Sequence, residues 1–522
     1  MSIIRPGSSK PITGRIAHFF ANLPQAVALP LGLILGAVGV TSFAPLHFWP
    51  GYFISLIAFS LFIISAKSAK AATWRASAVA FGLFGSSVSW VFVSIAEYGQ
   101  VGDLIAGLIT FAFIAALCAF WSLAAWFSWH LMSRYAFLPS SLWVAIALLL
   151  AELLRSVLFT GFPWLLPGYA TEHTWLFELL PLGGIWLTSL LVVLTATSLA
   201  GLLLKQSNQT MPILICLIGW GGGAYLSYAP VQWVQQTGQI KTTLVQGNIE
   251  QDQKWLPQTA ASSLAYYQQV TQQHLDSDLV VWPETAVTYA YSQVKPYLAN
   301  FSDQLAASKT TLITGIPDVL EGGQVYYNAI WTTGNGFGLY YKKHLVPFGE
   351  YLPLASYIGP LLDIFGMPMS NFQAGDDNQP VLQVGDWGVA PFICYEIVYP
   401  EQVREMVRDS DLLVTISNDA WFGSSFGPWQ HLQIAQFRAK EAGRYVIRAT
   451  NTGVTAFINE QGEIVAQAPQ FTRTTLTAEA KTFIGNTPYV TWGYWPSIVL
   501  LLLCILFSSA NHGFSRQSLR FA

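Results

Sequence analysis

Eight apolar runs, each near the roughly 20 residues needed to cross a bilayer, constrain this chain more than any motif it carries. They lie near 25–43, 51–67, 77–96, 104–129, 139–159, 183–203, 211–229 and 488–509. Seven precede a long polar stretch and one follows it. Composition agrees, with 53% of residues apolar and only 10% charged, against about a quarter charged in soluble domains. Arg5, Lys10 and Arg15 precede the first run as they would a secretory signal, but Pro30 interrupts it and no small-residue cleavage site follows. It therefore reads as a retained span. The expected architecture is a polytopic α-helical membrane bundle of about eight spans, with residues 1–230 forming spans one to seven and 488–522 forming span eight and a tail.

Charge separates the parts. Of 25 basic and 28 acidic residues, 14 and 23 fall between residues 240 and 487. An acidic balance of that kind repels phosphate backbones, which argues against nucleic acid as a partner. Arg5, Lys10, Arg15, Lys67, Lys70, Arg75, Arg134, Lys205, Arg516 and Arg520 all lie on one side of an eight-span arrangement. Glu97, Asp103, Glu172 and Glu178 lie in the opposite loops. Basic residues collect on the cytoplasmic side, so both termini are expected in the cytoplasm and residues 231–487 outside it. Glu152 and Arg155 fall within the fifth run, three residues apart on one helix face, and neutralise each other there. A structural ion pair and a lipid headgroup site both remain open for them. The following Gly161-Phe162-Pro163-Trp164 suits an interfacial turn.

From about residue 240 the pattern changes to short apolar runs divided by polar, helix-compatible stretches. Strands are expected at Thr242–Gln246, Leu279–Trp282, Thr311–Gly315, Val325–Trp331, Gly388–Tyr395 and Leu412–Ser417. Helices are expected at Pro400–Arg408 and Pro428–Arg444, and a hairpin at Val454–Ala468 turning at Asn459-Glu460-Gln461-Gly462. The alternation predicts an α/β domain over 231–487, with active residues at strand ends.

Four cysteines occur, and Cys118, Cys216 and Cys504 sit inside apolar runs, where a thiol is a small hydrophobe. Cys394, closing Pro391-Phe392-Ile393-Cys394-Tyr395-Glu396, is alone in the polar domain. Outside the cytoplasm a lone thiol is exposed to oxidation and has no internal partner. A thiol nucleophile needs a proton acceptor and a group that holds the oxyanion formed on the attacked carbonyl. Glu284, in Val281-Trp282-Pro283-Glu284-Thr285, closes another strand, and Lys342, followed by Lys343-His344-Leu345-Val346-Pro347-Phe348-Gly349-Glu350, closes a third. A carboxylate, an ammonium and a thiol from three strand ends fit an acyl-transfer centre.

Trp282-Pro283-Glu284, Lys342 with its following segment, and Cys394-Tyr395-Glu396 together resemble the Glu–Lys–Cys signature of the nitrilase superfamily. The enclosing spans, Val245-Gln246-Gly247-Asn248 and Ser417-Asn418-Asp419-Ala420-Trp421-Phe422-Gly423 narrow the resemblance to its membrane-embedded branch, the apolipoprotein N-acyltransferase family, over essentially the whole chain. The resemblance implies a nitrilase-type αββα sandwich on a membrane bundle. It implies Glu284 as general base, Lys342 as oxyanion stabiliser and Cys394 as nucleophile, with Glu350, Tyr395, Glu396 and Trp255 in support. It further implies ping-pong transfer of an acyl chain from the sn-1 position of a phospholipid such as phosphatidylethanolamine, through a Cys394 thioester. The acceptor would be the α-amine of the S-diacylglyceryl-cysteine that begins an apolipoprotein, in a bacterial inner membrane with a periplasmic catalytic domain. No metal or diffusible cofactor is implied.

Residues 352–372 are oddly apolar for a polar domain, with Leu361, Phe365, Met367 and Met369 among them, and read either as a lid touching the outer leaflet or as ordinary packing. His344 and His431 lack paired ligand spacing and read as structural. Trp421 and Trp429 read as core or interface aromatics, or as platforms for substrate. Asn418 and Asp419 either order the site or make a turn. Two rival functions share parts of this pattern: a membrane-tethered amidase with water as acceptor, and a transporter with an external binding domain. The seven spans before the domain are more than a tether needs, and a transporter predicts more charges deep in the spans than Glu152 and Arg155.

Overall fold

The computed structural model describes residues 15–99, 101–320, 323, 325–347, 349–351 and 372–518. Two compact units emerge. One comprises Met1–Ser89, Gly107–Val231 and Trp492–Ala522; the other comprises Trp90–Ala106 with Gln232–Thr491.

In the first unit every expected span finds a helix among the described residues. Five helical stretches, Gln25–Ser42, Asp103–Arg134, Ser140–Thr160, Trp175–Leu203 and Thr210–Tyr228, are long and apolar enough to cross a membrane. The second and eighth runs form the shorter apolar helices Pro50–Ile64 and Trp495–Ala510. The third is broken into Ala69–Ser87 and Val91–Tyr98, the latter belonging to the second unit. Without a hydrophobic drive between helices in lipid, close backbone approach supplies the packing. Glycines permit it here: a Cβ on Gly36 would lie 2.0 Å from the Val79 carbonyl oxygen, and one on Gly82 would lie 2.0 Å from that of Leu33.

Glu152 and Arg155 form an ion pair whose side chains are 0% and 1% exposed. Arg155 also donates to the carbonyls of Phe162 and Trp164, the latter at 2.7 Å, and Trp121 donates to Glu152. Of the two open readings, the geometry is that of a structural pair, which ties the Gly161–Trp164 turn to its helix.

The second unit is built on twelve strands: β1 Gln235–Gln246, β2 Leu279–Val281, β3 Thr311–Leu320, β4 Val325–Gly334, β5 Gly336–Tyr341, β6 Leu382–Val384, β7 Trp387–Ile393, β8 Leu412–Ser417, β9 Val446–Thr450, β10 Ala456–Ile458, β11 Ile464–Gln467 and β12 Thr474–Ile484. Their order is β11-β10-β9-β8-β7-β6-β5-β4-β3-β2-β1-β12. The order folds back on itself, because side chains from both halves share one core. Leu244, Leu279, Val281 and Ile313 pack there with Val389, Ile393, Leu412, Val414 and Ile447. Alternate residues point the other way: Val245, Val280, Trp282 and Leu312 enter a second core with Leu264, Tyr267, Leu298 and Phe301. The last four belong to the stretch holding helices Pro257–Gln272, Tyr291–Tyr297 and Ala299–Ala307. Each buried aliphatic or aromatic side chain contributes about 1.5–3 kcal/mol, so the period-2 alternation of these strands specifies the layers.

Strands β1, β2 and β3 pair in parallel, as do β7, β8 and β9. Parallel pairing places the C-terminal strand ends on a common edge of each group. Residues following β2, β7 and β8 are Trp282, Cys394 and Asn418, so the edge collects the polar residues expected to react. All six expected strands are present, and β5 supplies the strand end expected before Lys342, while β6, β9, β12 and the helices between 257 and 307 went unread. The apolar stretch 352–372 lies, apart from Phe372, outside the described residues.

Candidate active site

Strand β7 stops at Ile393, one residue short of Cys394, where the sequence reading ran the strand through Tyr395. Cys394 has φ 52°, a left-handed conformation that costs a residue bearing a Cβ and that clusters at functional sites. A short 3-10 turn, Cys394–Val398, follows. The side chain of Cys394 at this turn is partly buried, packed against the core of the sheet.

Glu396 holds this turn. Its side chain is fully buried; Oε2 accepts from the Ile393 amide at 2.7 Å, and Oε1 from the Lys343 amide at 2.7 Å, the Tyr340 hydroxyl at 2.8 Å and Gln402 Nε2 at 2.9 Å. Burial pushes its carboxyl upward, against these donors and Lys342. One carboxylate thereby fixes the end of β5, which carries Lys342, against the end of β7, which carries Cys394.

Glu284 is 7% exposed. Its Oε2 accepts from the Asn418 amide at 2.7 Å, its Oε1 from Asn328 Nδ2 at 2.8 Å, and Lys342 Nζ lies 3.7 Å from Oε1. Lys342 is 1% exposed and donates to Glu350 Oε1 at 2.8 Å. Burial alone would lower its pKa, but the negative charges of Glu350, Glu284 and ionised Cys394 outweigh burial and raise it. The group therefore stays cationic and serves as an electrostatic partner rather than a base. Burial and then the Glu284 carboxylate push the Cys394 thiol well up, against the pull of Lys342. A protonated resting thiol needs a base, and Glu284 is the carboxylate most strongly coupled to it.

Behind the thiol, Asp419 accepts from Arg448 Nη2 at 2.6 Å and from Ser417 Oγ at 2.5 Å. Burial opposes its ionisation, but Arg448 and His431 hold its carboxyl well below the usual range. His431 Nε2 lies 3.0 Å from the Cys394 carbonyl oxygen, while burial and then Arg448 lower its pKa. His431 Nδ1 lies 3.1 Å from Arg448 Nη2 and 3.2 Å from Asp419 Oδ1, and a proton on Nε2 is donated to the Cys394 carbonyl oxygen. Cys394, Asp419 and His431 offer three ligand atoms within 4.8 Å of one another, yet Arg448 already supplies the cation a metal would bring. His344 stands apart, its Nδ1 2.6 Å from Gln402 and its ring stacked on Tyr399 at 4.0 Å. The first unit carries a further group of possible ligands, His47, Glu172 and His173.

The remaining expected residues are dispersed around this centre. Tyr395 is buried, with its ring 5.2 Å from Tyr399. Trp255 is 52% exposed on the turn after β1. Trp421 is 41% exposed and meets Tyr98 edge-on at 4.9 Å. Tyr98 and Ser94 also donate to the carbonyls of Ala420 and Trp421 at 3.0 and 2.6 Å, so the helix Val91–Tyr98 grips the segment that follows Asn418. Asn418, left open between ordering the site and making a turn, bonds Glu284 directly. Sequence reasoning missed Asn328, Tyr340, Gln402, Arg448 and Lys254. Asn328 was legible in principle, as an amide inside the apolar run Val325–Trp331; the others gain meaning only through contacts distant in sequence.

Residues 241–489 match the carbon-nitrogen hydrolase family, and residues 35–198 match the apolipoprotein N-acyltransferase N-terminal domain. The chain is similar to a Pseudomonas syringae pv. tomato protein named apolipoprotein N-acyltransferase, with 42% identity over 483 residues, covering 91% of this chain and 94% of that one. It is 41% identical over 492 residues to an Azotobacter vinelandii protein of the same name, covering 91% and 93%. Among solved structures, the C. elegans NitFhit protein gives a TM-score of 0.37 at 16% identity, covering 49% of this chain and 63% of that one.

Proposed function

The chain belongs to the apolipoprotein N-acyltransferase family, and from that premise we propose that it N-acylates lipoproteins by a two-step transfer through Cys394. The observation that carries this reading is the buried Glu284 carboxylate, held by Asn418 and Asn328, beside a permanently cationic Lys342 and a protonated Cys394 thiol.

In the first step Glu284 takes the proton from Cys394 Sγ, and the thiolate attacks the sn-1 ester carbonyl carbon of a phospholipid, phosphatidylethanolamine being the expected donor. The oxyanion forms beside the Lys342 ammonium, which stabilises charge as it develops. Collapse breaks the ester C–O bond, and the proton on Glu284 passes to the leaving alkoxide of the lysophospholipid. An acyl thioester remains on Cys394. In the second step the α-amine of an S-diacylglyceryl-cysteine attacks that thioester, Glu284 accepts the amine proton, and Cys394 leaves as a thiol. A thioester suits the intermediate because it is a stronger acyl donor toward amines than an oxygen ester.

The division of labour follows from charge. A lysine whose acidic neighbours keep it protonated is excluded as base, and a carboxylate gripped by two hydrogen-bond donors is placed to accept a proton. The asymmetry of basic residues across the spans supports a periplasmic catalytic unit in the inner membrane.

The test is incubation of the purified chain with acyl-labelled phospholipid. Hydroxylamine-sensitive label on the protein, absent from Cys394→Ala and discharged onto a diacylated lipopeptide amine, is the expected result. Label that persists in Cys394→Ala overturns the thioester, and discharge to water alone indicates a hydrolase.

A further inference from the structure

Resting on the reading of Glu284 as base, we propose that the turn Glu250–Leu256 is a clamp on that base, with Lys254 and Gln251 as positioning residues. Nothing in the sequence marked either residue, although both precede the exposed Trp255.

Lys254 is 3% exposed, and its ammonium donates to the backbone carbonyl of Glu284 at 3.1 Å. Among the described residues no acidic side chain pairs with it directly. A buried ammonium without a carboxylate partner is costly, so its retention beside the base calls for a reason. On the other side of the same turn, Gln251 Oε1 accepts from Asn418 Nδ2 at 2.6 Å, and it is the Asn418 amide that holds Glu284 Oε2 at 2.7 Å. The turn thus grips the backbone of Glu284 directly and its carboxylate through Asn418. Its own amides close it, with Lys254 and Gln253 both donating to the Glu250 carbonyl and Leu256 to that of Gln253.

The gripped backbone needs such support. Thr285, the next residue, has φ 50°, and the chain lies so close to β3 that a Cβ on Gly315 would fall 2.6 Å from Glu284 Cα. Strained conformations persist where their surroundings over-determine them. The Lys254 charge has a second effect. The groups facing Glu284 are Lys254 behind it, Lys342 with Glu350 beyond in front, and the Cys394 thiol. Two cations therefore flank the proposed base, and Lys254 is the one the transfer reaction does not otherwise employ. Burial lowers Lys254 to about 8, against the pull of Glu284, so this second cation fades in mildly alkaline solution.

The experiment is single-turnover thioester formation by the full chain in phospholipid micelles, followed across pH for wild type, Lys254→Met, Gln251→Leu, the double variant and Glu284→Gln. Misplacing a catalytic group by an ångström costs about 10²-fold. Lys254→Met is expected to slow acylation on that order with phospholipid KM unchanged, and to approach wild type as pH passes about 8. Gln251→Leu is expected to slow acylation as well, and the double variant to lose less than the product of the two, because both act through one turn. Gln253→Ala, exposed on the same turn, is expected to match wild type. Wild-type rate and pH profile in Lys254→Met, or a loss confined to KM, overturn the clamp while a dead Glu284→Gln leaves the base reading standing. Should Lys254→Met fail to fold, a wild-type rate in Gln251→Leu overturns the clamp by itself. Wild-type acylation in Glu284→Gln overturns the base reading and the clamp with it.

Discussion

At Cys394 two opposing fields meet. Burial and the Glu284 carboxylate favour the thiol, Lys342 favours the thiolate, and the first two win. Cys394 is therefore unlike a cysteine preactivated by a neighbouring cation: under the proposed mechanism its reactivity is released when Glu284 removes the proton in the transition state. Two measurements follow. Alkylation of Cys394 by a small electrophile, without lipid, is expected to climb through the alkaline range without levelling near neutrality; a plateau at neutral pH would reveal a preformed thiolate. Lys342→Met is expected to slow thioester formation by about 10²–10³-fold, the usual loss when one oxyanion stabiliser is removed. Thioester formation at wild-type speed in that variant would move the oxyanion site elsewhere.

The elements supply what the residues alone lack. Cys394 turns sharply out of β7 because Glu396 satisfies the donors around the turn, and because Asp419, Arg448 and His431 back it from the turn after β8, from β9 and from the helix Gly427–Ala442. The Asp419–Arg448 pair is fully buried, so removing one partner strands the other, at a cost of about 3–5 kcal/mol. Asp419→Asn is expected to lower the thermal midpoint in detergent accordingly at neutral pH. The sign with pH is fixed: a carboxyl held below its ordinary range stabilises the fold fully above that range and loses the contribution as pH falls below it. The gap between wild type and Asp419→Asn should therefore narrow on acidification, and a gap constant with pH would show that the pair contributes no charge-dependent stability. These same contacts explain what the sequence disclosed and withheld. Cys394, Glu284 and Lys342 each end an apolar run, and the alternation of Val280 with Val281 or Leu312 with Ile313 announces strands buried on both faces. Arg448, by contrast, interrupts the short strand β9, which carries no local signal of its partner, and Lys254 looks like any surface lysine. Their partners lie in other elements, at separations no local period encodes.

For the molecule as a whole, water is the competitor. A thioester waiting for an amine is lost to hydrolysis unless the site is kept dry, and the proposed transfer requires that site to lie on the lipid-bearing face that supplies both substrates. That placement depends on orientation, which rests on the basic loops. Lys67, Lys70 and Arg75 precede or begin the broken third span, whereas the hairpin turn at Gln461 belongs to the catalytic unit. Both Lys70 and Gln461 are exposed. In a Cys394→Ala background the other thiols, Cys118, Cys216 and Cys504, are buried, so a single introduced cysteine can be followed. A membrane-impermeant maleimide applied to intact spheroplasts is expected to label Gln461→Cys and to spare Lys70→Cys until the membrane is opened. The reverse pattern would place the catalytic unit in the cytoplasm and overturn the orientation that the proposed transfer to a periplasmic acceptor requires, whatever the arrangement of Glu284, Lys342 and Cys394.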